Sequence, residues 1–246
     1  MHLSGNCVLV TGGGSGIGLA IAERLLEAGS DVIVCGRREG TLQEAKAKRP
    51  GLHTRVADVA TPEGRRELCA WAVATFPRLN VLVNNAGIQR RLALAQSPPW
   101  EPLEEEIAIN LEAPIHLSTL LIPHLAKQPR AAIWNVTSGL SFAPIAGVPV
   151  YCATKAALHS FTLSLRHQLA GTPIEVIEVI PPAVDTDLGG PGLHKFGVPV
   201  AELLDSVLPR IEAGEREVAH GFAQQSSRGS RADHDAMFAR MNQAGR

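Results

Sequence analysis

The chain has 246 residues, of which 45% are hydrophobic and only 4% aromatic, a composition suited to one α/β domain with an aliphatic core. Its formal net charge of −1 excludes a general attraction to nucleic acid or to an anionic membrane surface. The four cysteines form no CxxC pair, which disfavours a disulfide framework or a zinc site and predicts a reducing, cytoplasmic setting. Residues 1–6 do not resemble a signal peptide, and no apolar run approaches the roughly 18–20 residues of a membrane span.

Strand and helix patterns alternate along the chain. Short buried strands are predicted at 7–11, 31–35, 53–57, 79–83, 131–136 and 174–180, with a last one near 217–220. Helices are predicted at 16–29, 39–49, from 61 onward, at about 101–126 with proline interruptions, and at 150–170 and 200–213. Repeated strand–helix units predict a Rossmann-like, doubly wound parallel sheet of seven strands with helices on both faces.

The predicted domain spans residues 1–222 and includes a segment rich in glycine and proline at 185–199, which is a candidate mobile lid over the substrate. Residues 223–246 are polar and rich in arginine. They are predicted either as an exposed helix, with Ala236, Phe238 and Met241 as a weak docking face, or as partly disordered.

A glycine-rich turn, TGGGSGIG at 11–18, joins the first predicted strand to the first predicted helix. Glycines allow a tight turn and a close approach of the backbone to a ligand, and the free N–H groups of a helix N-terminus attract an anion such as a pyrophosphate. The position of the turn in the first βαβ unit therefore predicts dinucleotide binding rather than a plain turn. The residues predicted to contact the cofactor are Gly12, Gly14, Ser15, Gly16, Ile17 and Gly18.

The end of the second strand indicates which dinucleotide binds. A carboxylate there would accept hydrogen bonds from the ribose hydroxyls, but the strand runs instead into Arg37 and Arg38. Two guanidinium groups suit a 2′-phosphate, so NADP(H) is preferred and NAD(H) is possible, unless the arginines are simply solvated. After the third strand, Asp58 and its neighbour Val59 are candidates for the adenine end; alternatively, Asp58 caps a helix or stabilises a turn.

Tyr151 and Lys155 share one helix face, and Ser138 follows the fifth strand. Together with the glycine-rich turn, Asn84-Asn85-Ala86-Gly87 and a helical Asn110, these residues resemble the short-chain dehydrogenase/reductase family over nearly the whole chain. Two short sequence segments, Cys-Gly-Arg-Arg at 35–38 and Pro-Pro-Ala-Val-Asp-Thr at 181–186, most resemble its DltE-like subgroup.

The resemblance implies an oxidoreductase that interconverts a carbonyl and an alcohol by hydride transfer. Tyr151, the only tyrosine in the chain, would exchange the proton with the substrate oxygen. Lys155 would stabilise the phenolate and so lower the phenol pKa from its reference value of about 10. Ser138 would donate a hydrogen bond to the developing alkoxide. Asn110 would hold a water molecule in a proton relay to the lysine.

The resemblance also implies further contacts with the cofactor. Tyr151 and Lys155 would lie against its nicotinamide half, and other contacts would come from Asn85, Ala86, Gly87, Pro181, Val184 and Thr186. The asparagine-containing segment at 84–87 is equally suited to stabilising the strand edge and shaping the cleft. Pro182 departs from the glycine that is usual in the family, which puts the path of this loop in doubt.

The substrate would lie among residues 88–94, 139–148 and the lid. An apolar wall of Phe142, Pro144, Ile145 and Val148 predicts a small or medium carbonyl compound. Four cations close to it either bind an anionic group of the substrate or are solvated surface charges: Arg90, Arg91, His194 and Lys195.

The remaining patterns concern the surface and the assembly. Glu104, Glu105 and Glu106 are predicted to form a solvated helix face. In proteins of the family, helices corresponding to 101–126 and 150–170 pair between subunits, which predicts a homodimer or a homotetramer. No metal, nucleic acid or membrane partner is predicted. The alternative function is a non-catalytic, dinucleotide-binding sensor or scaffold on the same fold.

Overall fold

The computed structural model describes residues 1–243. A seven-stranded sheet with the order β3-β2-β1-β4-β5-β6-β7 forms its centre, and each pair of neighbouring strands is parallel. The strands are β1 Cys7–Thr11, β2 Asp31–Gly36, β3 His53–Val56, β4 Val81–Asn84, β5 Ala131–Val136, β6 Ile174–Ile180 and β7 Glu217–Ala219. The predicted doubly wound parallel sheet is confirmed.

Nine helices flank the sheet in the described part of the chain. They are α1 Gly16–Glu27, α2 Glu39–Lys48, α3 Pro62–Thr75, α4 Glu101–Ile107, α5 Ala113–Leu125, α6 Pro149–Gln168, α7 Val200–Glu212, α8 Phe222–Ser227 and α9 Arg231–Asn242. Apolar residues of α1, α2 and α7 pack on one face of the sheet, and those of α3, α5 and α6 pack on the other. None of these helices is both long enough and apolar enough to cross a membrane.

The strand sequences follow from this layered arrangement. Every residue of β1, β4 and β5 is buried. A parallel sheet between two helix layers is covered on both faces, so its strands are continuous apolar runs rather than alternating patterns. Strands β1 and β4 are neighbours although β2 and β3 lie between them in sequence, so the chain reverses direction across the sheet there. Ligands bind in such folds at the carboxyl ends of these strands.

The predicted helix at about 101–126 is divided by a widened, π-helical turn at Ala108–Glu112. Pro114 explains the division, because proline has no N–H to donate to the carbonyl four residues earlier and its ring crowds that carbonyl. That earlier residue is Asn110. The proline therefore reshapes the backbone at a residue that the sequence analysis assigned to catalysis, and such widened turns are frequent at functional sites.

The C-terminal segment is helical and packed against the domain. Ser226 Oγ donates a hydrogen bond to the Gly139 carbonyl, 3.2 Å away. Asn242 donates to the carbonyl of Pro144 and accepts from the amide of Ala146, at 3.2 and 2.6 Å. Met241 is partly buried as expected, whereas Ala236 and Phe238 are exposed and do not form the predicted docking face. Residues 244–246 of the predicted tail lie outside the described residues.

Candidate active site

A cleft of about 1510 Å³ opens at the carboxyl ends of β1 and β4. The glycine-rich turn, residues 35–38 and the lid contribute to its walls, as do Ser138, Tyr151 and Lys155. Of the residues predicted to be catalytic or to contact the cofactor, all line the cleft except Gly18 and Asn110, which lie behind its surface. The parallel sheet thus brings together segments that are up to about 170 residues apart in sequence.

The glycine-rich turn has a shape that requires glycine at several positions, of which Gly12 and Gly18 are examples. Gly12 has φ +64°, and a Cβ atom on it would lie 2.9 Å from Ala86 Cα. A Cβ atom on Gly18 would lie 2.3 Å from Asn85 Nδ2 and 2.5 Å from the Gly12 carbonyl oxygen. Asn85 in turn donates from Nδ2 to the Thr11 carbonyl at 2.9 Å. These close approaches bind the ends of β1, α1 and β4 into one rigid unit.

The N-terminus of α1 has no cap from a side chain. Ser15 precedes the helix without making a capping hydrogen bond, and no acidic residue lies in the first turn. The N–H groups of Gly16, Ile17 and Gly18 consequently have no partner within the helix. Because these N–H groups and the helix dipole favour negative charge, the residues present fit the pyrophosphate of a dinucleotide.

Arg37 and Arg38 are both exposed at the end of β2. Arg37 donates to Glu105 on α4 at 2.5 Å, and Arg90 forms a second ion pair with the same carboxylate. Hydrogen bonding from Arg37, followed by the contacts with Arg90, holds the pKa of Glu105 below its ordinary value. A carboxylate therefore competes for one of the two arginines predicted to bind a 2′-phosphate, which the sequence analysis did not anticipate.

The prediction that Glu104, Glu105 and Glu106 form a solvated helix face is wrong for Glu105 and Glu106. Glu104 is exposed, Glu105 bridges two arginines, and Glu106 is fully buried. Glu106 accepts from the amide of Arg90 at 3.3 Å, and burial raises its pKa. The sequence did contain a pattern that indicates burial of Glu106, because Leu103, Glu106 and Asn110 recur at the spacing of one helix face.

The polar residues next to β3 and β4 make structural contacts. Asp58 accepts a hydrogen bond from the amide of Ala60 at 2.9 Å. This contact stabilises a turn, which was the predicted alternative to binding the adenine end of the cofactor. Asn84 is buried and donates to Asn135 Oδ1 at 2.9 Å. Asn85 and Ala86 both donate their backbone amides to Thr11 Oγ1 at 3.1 Å. The segment 84–87 thus anchors neighbouring strands while three of its residues, Asn85, Ala86 and Gly87, line the cleft.

Tyr151 lies in the first turns of α6, which begins at Pro149, a residue favoured at the first helical position. It is 7% exposed, and Lys155, one turn later, is 3% exposed. Lys155 Nζ donates to the Val136 carbonyl at 2.8 Å and lies 5.7 Å from the centre of the Tyr151 ring. Ser138, at the end of β5, accepts from the amide of Leu140 at 3.1 Å.

Asn110 lies behind this group. Its Oδ1 accepts from the amide of Ile88 at 2.9 Å, and its Nδ2 donates to the Ile88 carbonyl at 2.8 Å. A Cβ atom on Gly87 would lie 3.4 Å from Asn110 Oδ1 and 3.7 Å from Lys155 Nζ. The glycine therefore lets the backbone lie close to both the Asn110 amide and the Lys155 ammonium group.

Burial controls the ionisation of the two titratable groups in this cluster. It raises the pKa of Tyr151 to about 12, an effect that hydrogen bonding with Ser138 opposes. Burial also lowers the pKa of Lys155 to about 8. The sequence analysis expected Lys155 to lower the tyrosine pKa, but the loss of solvation dominates. At neutral pH the phenol is protonated, and most of the lysine is charged.

The substrate side of the cleft differs from its predicted form. Ile145 and Val148 line it, whereas Phe142 and Pro144 do not, and Met241 of α9 does. Among the four predicted cations, Arg91, His194 and Lys195 line the cleft. Arg90 instead donates to the Pro102 carbonyl and pairs with Glu105, and Lys195 lies 3.4 Å from Asp185.

Comparison with known proteins places these features in a family. The family model for the short chain dehydrogenase matches residues 6–194. The chain is 48% identical to the uncharacterized oxidoreductase DltE of Bacillus subtilis, covering 98% of both proteins. It is 36% identical to the NADP-dependent 3-hydroxy acid dehydrogenase YdfG of Salmonella typhi, covering 71% of each.

Solved structures agree with this assignment. A short-chain dehydrogenase from Burkholderia cenocepacia in complex with NADP matches with a TM-score of 0.84 and 27% identity, over 98% of this chain and 99% of that one. Another from Sphingobium yanoikuyae in complex with NADPH matches with a TM-score of 0.81 and 26% identity, over 98% of both chains. The protein is therefore an oxidoreductase that belongs to the short-chain dehydrogenase/reductase family, in its DltE-like branch.

Proposed function

We propose that this protein uses NADP(H) to reduce a carbonyl compound to an alcohol, with Tyr151 as the proton donor. The observation that carries the proposal is the cluster of Asn110, Ser138, Tyr151 and Lys155, all buried, at a cleft whose other end has an uncapped helix N-terminus. Hydride transfer needs a dinucleotide beside a proton donor that is shielded from water, and this cleft provides both positions.

The residues of the chain have separate tasks in this reaction. The first turn of α1 binds the pyrophosphate, and Arg37 and Arg38 bind the 2′-phosphate. The bound cofactor supplies the hydride. Ser138 donates a hydrogen bond to the substrate oxygen, and Tyr151 transfers its proton to that oxygen as negative charge develops. Lys155, with water held beside Asn110, returns a proton to the phenolate.

The ionisation of the phenol bears on the pH dependence of the reaction. With a pKa raised to about 12, Tyr151 holds its proton at neutral pH and is ready to donate it. Oxidation of an alcohol requires the phenolate instead, which is costly to form in this buried position. Reduction therefore starts from the ionisation state that the free site has near pH 7, whereas oxidation should be faster at higher pH.

NADP(H) is proposed over NAD(H) for two reasons. Two arginines, and no carboxylate, follow β2 at the position where such folds contact the adenosine ribose. These arginines would bind a 2′-phosphate, which NAD(H) lacks. The relative YdfG is named as NADP-dependent, and two structures similar to this one contain NADP or NADPH. NAD(H) would bind in the same cleft with lower affinity.

We propose a small or medium carbonyl substrate that carries an anionic group. Ile145, Val148 and Met241 provide apolar surface, and Arg91, His194 and Lys195 provide donors on the same side of the cleft. The name of YdfG, a 3-hydroxy acid dehydrogenase, supports an acid as substrate. The Arg91→Ala variant should have a higher KM for anionic carbonyls but not for neutral ones. The control variant Arg66→Ala, which changes an exposed residue outside the cleft, should show no such effect. No change in KM, or an equal change for anionic and neutral carbonyls in the Arg91 variant, would end this part of the proposal.

The central experiment uses a panel of carbonyl compounds with NADPH and NADH. Binding is followed by cofactor fluorescence, and turnover by loss of the nicotinamide absorbance. Tyr151→Phe should bind NADPH like the wild type but lose about 10²–10⁴-fold in kcat. Tight binding of NADPH with no turnover of any carbonyl by the wild type would favour the sensor or scaffold function instead.

The assembly and setting are also proposals. Helices α5 and α6 carry apolar side chains toward the outside, including Leu163 at 43% exposure, which suits pairing of subunits into a homodimer or homotetramer. Light scattering at micromolar concentration would contradict this by giving the mass of a monomer. The four free cysteines are buried, which fits a reducing cytoplasm.

A further inference from the structure

A buried carboxylate lies in the sheet behind the catalytic serine. Glu178 is the fifth of the seven residues of β6 and is fully buried, between the apolar residues Ile177 and Val179. Both of its oxygens lie 3.0 Å from His159 Nδ1 on α6. Thr137 Oγ1 donates to Glu178 Oε1 at 2.7 Å. The carboxylate therefore has a partner on the helix and a partner on the neighbouring strand.

Such a group is an unusual choice for a sheet interior. A buried ion pair seldom stabilises a protein more than apolar residues of the same volume, because both charges lose their hydration. Glu178 stands where valine or isoleucine would pack without that cost, as Val176 and Ile180 do two residues on either side. The arrangement is better explained by what the pair holds in place than by stability.

The pair connects the two elements that carry the catalytic residues. His159 is four residues after Lys155 and eight after Tyr151, so all three side chains lie along one face of α6. Thr137 is the residue directly before Ser138. Glu178 thus links, through one hydrogen bond on each side, the helix of the proton donor to the backbone of the serine.

The backbone on either side of Ser138 is also held to the end of β6, by the Thr137 amide on the Val179 carbonyl and the Gly139 amide on the Pro181 carbonyl, both at 2.9 Å, but these bonds do not reach α6. Lys155 Nζ donates to the Val136 carbonyl at 2.8 Å, and Asn135 Nδ2 donates to Thr162 Oγ1 at 2.9 Å. At Thr137 the connection runs through Glu178 to His159. The ring of Phe142 meets His159 edge-on, with ring centres 4.6 Å apart, and covers part of the imidazole, whose side chain remains 21% exposed.

We propose that Glu178 and His159 are positioning residues that, through Thr137, hold Ser138 at the distance from Tyr151 at which both hydroxyls reach one substrate oxygen. The inference rests on the proposed function, because that function defines the task of the two hydroxyls. Neither Glu178 nor His159 touches the substrate. Their effect reaches the chemistry only through the position of Ser138.

The test uses four variants and one control. Thr137→Val removes the hydroxyl but keeps the shape, Thr137→Ser keeps the hydroxyl, Glu178→Gln removes the charge, and the fourth variant combines Thr137→Val with Glu178→Gln. Glu175→Gln is the matched control, because Glu175 lies on the same strand but pairs with the N-terminal amine, 3.5 Å away. For each, kcat, KM, NADPH affinity and the thermal midpoint are measured.

Thr137→Val and Glu178→Gln should lower kcat by up to about 10²-fold, because small displacements of reacting groups have effects of that size. NADPH affinity should stay unchanged, and Thr137→Ser should restore most of kcat. The double variant should be no worse than the more damaging single variant, since both changes break one connection. Losses that multiply, or a lower thermal midpoint with unchanged kcat, would overturn the inference in favour of a structural role.

A second measurement separates this inference from the proposed function. Tyr151 is the only tyrosine, so ¹³Cζ-labelled tyrosine gives a single resonance that reports the hydrogen bonding of its hydroxyl. The resonance should shift in Thr137→Val and Glu178→Gln and stay in place in Glu175→Gln. An inactive wild type would refute the proposed function while this resonance still decides the inference. An unshifted resonance in both variants would refute the positioning role.

Discussion

The cofactor side and the substrate side of the cleft are built in different ways. The cofactor side consists largely of backbone from short contiguous segments, the glycine-rich turn and residues 35–38. The substrate side is made of side chains from segments far apart in sequence, including residues 145–148, the lid and Met241 near the C-terminus. The part of the cofactor side suited to the phosphates therefore comes from two short segments close in sequence, whereas recognition of the substrate depends on how distant segments pack.

The largest effect is expected at the rigid cofactor side. Gly18→Ala places a Cβ atom 2.5 Å from the Gly12 carbonyl oxygen, which cannot move without distorting the turn. We expect a loss of about 1–3 kcal/mol in the free energy of unfolding, together with weaker binding of NADPH. Denaturant titration measures the first, and fluorescence measures the second. Gly40→Ala is the control, because its Cβ would meet nothing within 4 Å in α2.

Arg38→Ala should separate the two cofactors. A lost charge-assisted hydrogen bond costs about 1.5–3 kcal/mol, so the Kd of NADPH should rise roughly 10- to 150-fold. The Kd of NADH should change little, because NADH has no 2′-phosphate. Parallel fluorescence titrations with both cofactors provide the comparison. A similar loss for NADH would mean that Arg38 contributes to the adenosine site in general.

Asn242→Ala should affect the substrate side alone. The side chain makes two hydrogen bonds to segment 144–146, each worth about 0.5–1.5 kcal/mol, and it holds the end of α9 beside Met241. We expect a higher KM for the carbonyl and a relaxed preference for substrate size, with an unchanged Kd for NADPH. Steady-state kinetics on carbonyls of graded size check this. Weaker NADPH binding would show that the two sides are not independent.

The smallest predicted effect concerns Glu105, which pairs with Arg37 of the cofactor side and with Arg90 near the substrate side. Glu105→Gln removes the carboxylate that competes for Arg37, so NADPH should bind more tightly. Exposed ion pairs contribute about 0–1 kcal/mol, which limits the gain to roughly fivefold. Glu104→Gln, an exposed neighbour, is the control, and NADH affinity should not change. Weaker binding of NADPH would mean that Glu105 orients Arg37 rather than competing for it.

The comparison also explains what could be predicted from the sequence. The strands and the turn at 11–18 were predictable because hydrophobic periodicity and glycine-rich motifs involve only a few consecutive residues. The bridging role of Glu105 and the burial of Glu106 and Glu178 were not predicted, because a glutamate within a helix or strand pattern does not reveal its neighbours in space. Position 178 interrupts an apolar strand, which was a usable signal that only the contact with His159 makes interpretable.

For a related reason, the sequence left two alternatives open for the C-terminal segment, an exposed helix or partial disorder. Its composition is polar, and its helix α9 has no fully buried residue. It is held instead by single hydrogen bonds from Ser226 and Asn242 to backbone groups of segment 139–146. Hydrogen bonds of this kind have no periodic pattern in sequence, so composition alone could not choose between the exposed helix and a partly disordered segment.

The sequence by itself determined the sheet, the dinucleotide turn and which side chains are proposed as catalytic, because these depend on local backbone preferences and on residue chemistry. Only the tertiary structure decided how those groups ionise and what surrounds them. The pKa of Tyr151 reaches about 12 because α6 buries the phenol, although its sequence spacing from Lys155 favours the opposite shift. Solvation and distance, which govern such pKa values, exist only once the chain has folded.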